Sequence, residues 1–304
     1  MTTPFAPAGA GSSFGAAPRL DVGVVSAGRV GSVVGAALDR AGHRVTAVSG
    51  SSPESLRRAA ELLPEAVIRT PEEVAADAQL LLLAVPDTAL PELAERLPFR
   101  RGQIVLHTSG SHGAEVLRPA IDAGALAAAA HPAMTFLGTR ADLDRLDGLP
   151  WAVTAFDEAA LIAEALVSET GGHAEHVAEA QRTRYHAALA HASNHLATLV
   201  NDARGLLADA GISDAPHYLR QLTFAALDNA LALGDDALTG PVVRGDAATV
   251  AAHLDAVGSD LRPVYAALAE RTADRARAAG RLEERSARAV KDTLDGARTG
   301  EARR

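Results

Sequence analysis

The 304-residue chain has a formal net charge of -9, with 48% hydrophobic and 22% charged residues, the balance of a soluble globular protein long enough for one large or two moderate domains. Its acidity argues against a nucleic-acid or anionic-membrane partner, because phosphate binding needs clustered positive potential, and no stretch approaches the roughly 18 consecutive apolar residues of a membrane span. The absence of cysteine removes disulfides, thiolate catalysis and iron-sulfur clusters and fits a reducing, cytoplasmic setting.

Residues 1–18 read as a flexible tail, lacking the basic opening and long apolar run of a secretory signal. From residue 19 to residue 178, apolar runs alternate with helix-like segments. "DVGVVS" reads as a strand, Arg29 to Ala41 as a helix, and "HRVTAVS" as a second strand followed by a helix through Leu63. A short "AVIRT" strand comes next. Thr70 and Glu73 then form a capping-box pattern around Pro71, which sits at the first helical position, where its missing N–H costs nothing. "AQLLLLAVP" is apolar on both faces, as strands between two helical layers are. "GQIVLHTSG", "ALAAAAHPA" and "LPWAVTA" supply three more strands and "GHAEHV" an edge strand. This alternation predicts an α/β domain built on a doubly wound, mostly parallel Rossmann sheet. Residues 179–290 read as an all-α second domain, and residues 291–304 as a charged flexible tail.

"VGVVSAGRVGSVVG" aligns on the dinucleotide fingerprint G-x-G-x-x-G with Gly28 and Gly31 at its second and third positions and Ser26 at its first. The second glycine lets backbone approach a pyrophosphate and the third lets helix and strand pack closely. Ser26 takes the turn position, which a small side chain can fill if its dihedrals stay in an allowed region. The candidate cofactor loop is Ser26, Ala27, Gly28, Arg29, Val30 and Gly31, the helix start offering free N–H groups to phosphate. Val85 and Pro86, after the fourth strand, join it. The second strand ends in "VSGSSPESLRR", with no acid before Glu54 to accept a ribose hydroxyl. Ser49, Ser51 and Ser52, with Arg57 and Arg58, suit a 2'-phosphate and so NADP; the plainer reading is a serine-rich turn and helix cap.

Ligands in open α/β sheets lie outside the carboxyl ends of strands. There the sequence places Asp87 and Thr88, read as an N-cap, together with His107, Ser109 and His112 beside Gly110 and Gly113, and His131 before Pro132. A surface loop and a buried structural histidine are the plainer readings of these. On the first long helix after residue 179, a rotation of about 100° per residue puts His186, Ser193, Asn194 and Asn201 on one arc. His191 and His195 lie on another, spaced to share a metal but without a third ligand near by. No G-x-S-x-G elbow supports a serine hydrolase.

Taken in order, "VSAGRVGSVVGAAL", "LLAVPD", "HTSGSHGAEVL", "HPAMTF", "YHAALAHASNHL" and "LTGPVVRGDAATVAAHL" resemble the Rossmann-like proteins whose helical C-terminal domain of unknown function is related to 6-phosphogluconate dehydrogenase. The resemblance runs from Leu20 to about Leu282. It implies an NADP-type Rossmann domain, a 6-phosphogluconate-dehydrogenase-like helical domain that forms a homodimer, and a site in the cleft between them. It also implies kinship with ketopantoate, pyrroline-carboxylate and β-hydroxyacid oxidoreductases, and 2-dehydropantoate as a candidate substrate. The β-hydroxyacid and ketopantoate relatives use a lysine on the first helix of the second domain. This helix has none, and Lys291 is the chain's only lysine.

The expectation is therefore an NADP-dependent reductase of a small carbonyl or imine compound, with no metal. His186 is expected as acid/base, Asn194 and Ser193 as substrate-orienting groups, and Ser109, His107 and His131 as substrate-cleft residues. Arg244 is expected to meet a substrate carboxylate, or else to pair with Asp246. The alternative is an NADP-binding sensor or regulatory protein that has lost catalysis.

Overall fold

The computed structural model describes residues 19–301; the tail expected over residues 1–18 lies outside them. The chain runs β1 (Asp21–Val25), α1 (Arg29–Arg40), β2 (Arg44–Val48), α2 (Pro53–Leu62), β3 (Val67–Ile68), α3 (Pro71–Asp77), β4 (Leu80–Leu83), α4 (Leu90–Arg96) and β5 (Ile104–His107). It continues through α5 (Arg118–Asp122), β6 (Leu126–Pro132), β7 (Pro150–Ala155), α6 (Glu158–Glu169), β8 (His173–His176) and α7 (Arg182–Ala190). A π-helical turn at His191–His195 then leads into α8 (Leu196–Asp209), followed by α9 (Ala215–Leu233), α10 (Ala247–Ala256), α11 (Gly258–Ala278) and α12 (Glu284–Glu301).

All eight expected strands occur, in one sheet of order β3-β2-β1-β4-β5-β6-β7-β8. Every pairing is parallel except β6 with β7. The first six strands follow the doubly wound nucleotide-binding order, which reverses between β1 and β4 and opens a crevice at their carboxyl ends. Side chains alternate between two cores, as the two-residue strand period requires. Val24, Leu82, Leu106 and Ala128 meet Val33 and Leu38 of α1 and Leu166 of α6 on one face. Val25, Leu81, Leu83 and Val105 meet Val74 of α3 and Leu93 of α4 on the other. Each buried leucine of β4 contributes about 1.5–3 kcal/mol. The capping box forms as expected: Thr70 Oγ1 accepts from the Glu73 amide while Glu73 accepts from the Thr70 amide.

The two compact units divide between Ser193 and Asn194, inside the π-helical turn and beyond the strand-to-helix change at residue 178. Arg182 explains why α7 goes with the sheet. Its guanidinium donates to Thr154 Oγ1 at 2.7 Å, and to the carbonyls of Ala152 at 3.0 Å and Ala129 at 3.3 Å.

In the second unit, Ala266, Ala269, Ala273 and Ala276 form a small-residue stripe on α11 that packs with Val250 and Leu254 of α10 and Val290 and Leu294 of α12. The flexible tail expected from residue 291 is instead helical through Glu301. Its charge run conceals an apolar face: Ala287, Val290 and Leu294 are buried at i, i+3 and i+7. Lys291 Nζ donates to Asp274 Oδ1 at 2.6 Å. No helix among the described residues is long and apolar enough to cross a membrane.

Candidate functional site

The glycine loop lies between β1 and α1, at the point where the strand order reverses. Ser26 does not stay in the region favoured by L-residues but takes φ 84, as a glycine would. The end of β2 holds it there: the Ser26 amide donates to Ser49 Oγ at 2.9 Å and the Ala27 amide to the Ser49 carbonyl at 2.6 Å. Gly31 is sterically obligatory, because a Cβ there would lie 2.2 Å from the Ser26 carbonyl oxygen. Gly28 caps α1 without a side-chain hydrogen bond, and a Cβ on it would meet no protein atom closer than Ser26 Oγ at 3.3 Å. The space before the helix is thus open, and the first-turn amides of Arg29, Val30 and Gly31 have no carbonyl partner four residues back within the helix. This is a fitting cradle for a pyrophosphate.

A cavity of about 740 Å³ adjoins the loop, walled by Ser26, Ala27, Gly28, Ser49, Ser51, Ser52, Arg58 and Arg69 among others. Val85 and Pro86, which follow β4, lie outside its walls. The serines divide their work. Ser52 is the α2 helix cap, accepting from the Ser55 amide, and Ser49 supports Ser26, so Ser51 carries the hydroxyl without either duty. Arg58 reaches the cavity and donates to the Ala27 carbonyl at 3.3 Å, whereas Arg57 turns to Glu54 at 3.5 Å. Arg69, immediately after β3, is a second cavity cation that sequence reasoning missed, although its place at a strand's carboxyl end was legible. Two arginines with no acid between β2 and Ser52 fit a 2'-phosphate better than a ribose hydroxyl.

His107 and Ser109, expected to face substrate, are turned inward. His107 is fully buried; its Nε2 bonds the Gly113 carbonyl at 2.8 Å and its Nδ1 accepts from the Ser109 amide at 3.1 Å. Burial, opposed mainly by the Gly113 bond, lowers its pKa to about 4, so both ring nitrogens of a neutral imidazole are committed to the loop. Ser109 Oγ accepts from the His112 amide at 3.2 Å. Asp87 is not a helix cap, since Ala89 precedes α4; it accepts from Ser111 Oγ at 2.5 Å and ties the β4 loop to this one. Burial alone would raise the Asp87 carboxyl, but bonds from Ser111 and Ser109 and the nearby His186 and His112 outweigh it and lower its pKa.

His131 stands at the same sheet edge, at the end of β6. Its Nδ1 and the Tyr185 hydroxyl are hydrogen bonded at 2.8 Å, and its ring meets His186 edge-on with centroids 6.2 Å apart. Burial first, then the charges of Arg182 and His186, lower the His131 pKa to about 4. Gly110 makes the approach possible, because a Cβ there would lie 2.7 Å from His186 Cδ2 and 3.0 Å from His131 Nε2. Arg182, Tyr185 and His186 occupy positions i, i+3 and i+4 on one face of α7. Arg182 and Tyr185 were missed in the sequence, though that spacing to His186 could have indicated them.

Ser193 Oγ lies 3.2 Å from Thr135 Oγ1, in the loop after β6. Asn194 begins the second unit. The π-helical turn at His191–His195 invalidates the arcs drawn across it, because its residues advance by less than the regular α-helical rotation. Arg244 is exposed and makes no ion pair with Asp246, which instead caps α10 by accepting from the Thr249 amide at 3.0 Å. Among the described residues, no group of three or more His, Cys, Asp or Glu side chains converges as a metal site.

Residues 8–132 match the family model of a Rossmann-like domain, and residues 149–272 that of a domain of unknown function, DUF2520. The second match begins at the foot of β7, so strands β7 and β8, although paired into the sheet, belong by sequence with the helical part. No curated protein matches the chain. Among solved structures it is similar to BF3122 from Bacteroides fragilis, provisionally named an NADP oxidoreductase, at 23% identity over 84% of this chain and 98% of that one, with a TM-score of 0.70. Protein TM1727 from Thermotoga maritima is similar at 19% identity over 84% and 98%, with a TM-score of 0.63. A reductive aminase from Aspergillus terreus, in complex with NADPH and ethyl-5-oxohexanoate, is similar at 16% identity over 93% and 95%, with a TM-score of 0.58. These likenesses are of fold.

Proposed function

We propose that this chain, a Rossmann-like domain joined to a DUF2520 domain, is an NADP-dependent oxidoreductase that reduces a small carbonyl or imine compound, with 2-dehydropantoate the first substrate to test. One observation carries the reading: the glycine cradle at the β1–β4 reversal opens beside a cavity with two arginines, Arg58 and Arg69, and no ribose-binding acid at the end of β2. Its fold neighbours named for NADP chemistry support the same reading.

When bound, the reduced nicotinamide supplies the hydride. The protein's own part is to orient the substrate and provide a proton. In place of a lysine, α7 offers the face of Arg182, Tyr185 and His186 beside His131. Ser193, with Thr135, and Asn194 remain proposed substrate-orienting groups, and Arg244 the proposed partner of a substrate carboxylate. The cysteine-free composition supports work in the cytoplasm.

The chain is further proposed to work as a homodimer through its helical unit. Along α9, Tyr218, Leu222, Phe224 and Leu231 are 60%, 66%, 59% and 78% exposed, far more apolar surface than a lone helix face leaves to water.

Fluorescence titration with NADPH and NADH, followed by NADPH oxidation against 2-oxo acids and cyclic imines, tests the reading. Preferential NADPH binding and turnover of a panel member are expected. A sensor without catalysis has one observation in its favour, the commitment of Lys291, the only lysine, to Asp274. Tight NADPH binding with no turnover would decide for it, and failure to bind NADPH would sink both.

A further inference from the structure

Arg182 is 1% exposed, yet no carboxylate lies within ion-pair distance of it among the described residues. Its Nε and Nη2 go to a hydroxyl and two carbonyls, and its Nη1 is buried with no hydrogen-bond partner. Its burial is offset first by Tyr185 and then by the Glu179 carboxylate, neither of them in an ion pair with it, and a buried cation so placed marks a candidate functional charge. The ring within its reach is Tyr185, whose centroid is 5.9 Å from the Arg182 Cζ. The Tyr185 hydroxyl in turn meets His131 Nδ1.

We infer that Tyr185 donates the proton of the reduction, with Arg182 stabilising the phenolate it leaves and His131 orienting its hydroxyl. The inference rests on the reductase reading above. With the Nδ1–H tautomer, His131 donates to the phenol oxygen and leaves the phenol's own hydrogen for the substrate. The carbonyl or imine carbon receives a hydride from the reduced nicotinamide; the Tyr185 O–H bond breaks, an O–H or N–H bond forms on the product, and solvent returns the proton to the phenolate. His186 has only a ring contact with His131 and borders the site without that hydrogen bond.

The electrostatics agree. Burial raises the Tyr185 pKa above its ordinary value while Arg182 opposes the rise, so the phenol keeps its proton at neutral pH and its anion still has a cation beside it. His131, with its pKa lowered to about 4 chiefly by burial, remains neutral there.

The test uses the full chain with Tyr185→Phe, His186→Ala, Arg182→Gln and Arg182→Lys. Ultraviolet tyrosinate titration, compared with Tyr185→Phe, isolates one of three tyrosines. Arg182→Gln is expected to move that step up by roughly one pH unit, and Arg182→Lys, which keeps the charge if Gln impairs folding, to move it less. Tyr185→Phe is expected to bind NADPH as the wild type does and to lose at least about 100-fold in kcat, more than His186→Ala loses. Turnover that survives Tyr185→Phe, or a tyrosinate step indifferent to Arg182, would overturn the donor assignment alone. Wild-type chain that binds NADPH and reduces nothing would overturn the reductase reading, and the assignment with it.

Discussion

The Ser26 amide donates to Ser49 Oγ at 2.9 Å, and this bond, with that of Ala27 to the Ser49 carbonyl, holds a serine at φ 84 in the turn position of the glycine loop. An L-residue there stores strain on the order of 1 kcal/mol. Ser26→Gly is therefore expected to raise the thermal midpoint by a few degrees and to leave NADPH affinity equal or tighter. A drop in stability on calorimetry would show that the Ser26 side chain, not its backbone, is what the loop needs.

Arg69 and Arg58 are the cations at the cavity beside the β2 end. Arg58 also bonds the Ala27 carbonyl, so Arg69→Gln is the cleaner probe of the 2'-phosphate. It is expected to weaken NADPH about tenfold, a loss of about 1.4 kcal/mol, while NADH affinity stays unchanged. Equal losses for both cofactors would remove Arg69 from phosphate recognition.

Acid should unfold the chain through its buried histidines. His107 and His131 have folded pKa values lowered to about 4, mainly by burial, whereas unfolded imidazole titrates near 6.5. Between those values the unfolded chain binds more protons, so stability is complete above about pH 6.5 and is lost as pH falls toward 4, by up to about 3 kcal/mol per histidine. Denaturant titrations from pH 8 to 4 should show this slope. His107→Asn should be less stable at pH 7 yet fall less steeply, and an unchanged slope would refute the neutral-histidine account.

If α9 is enclosed by a second copy on both of its apolar sides, Leu222→Glu on one side with Leu231→Glu on the other should yield a folded monomer by light scattering, with the circular dichroism of the wild type. A wild-type chain that is already monomeric would remove the proposal.

The sequence by itself determined the sheet and where its carboxyl edge would fall. Strand runs, the Thr70 capping box and the Gly28 and Gly31 spacing are local signals, because side-chain period, helix capping and close backbone approach are set within a few residues. The apolar face of α12 was present too, but its charged neighbours obscured it.

Tertiary structure alone decided the roles of the polar residues at that edge. His107 and His131 look alike in sequence at the ends of adjacent strands. One spends both nitrogens closing its own loop, while the other meets Tyr185, 54 residues away in the chain. Nor could the sequence show that Arg182 is buried with a hydroxyl and two carbonyls as its hydrogen-bond partners and no ion pair, because such partners and desolvation depend on distant segments brought together by the fold.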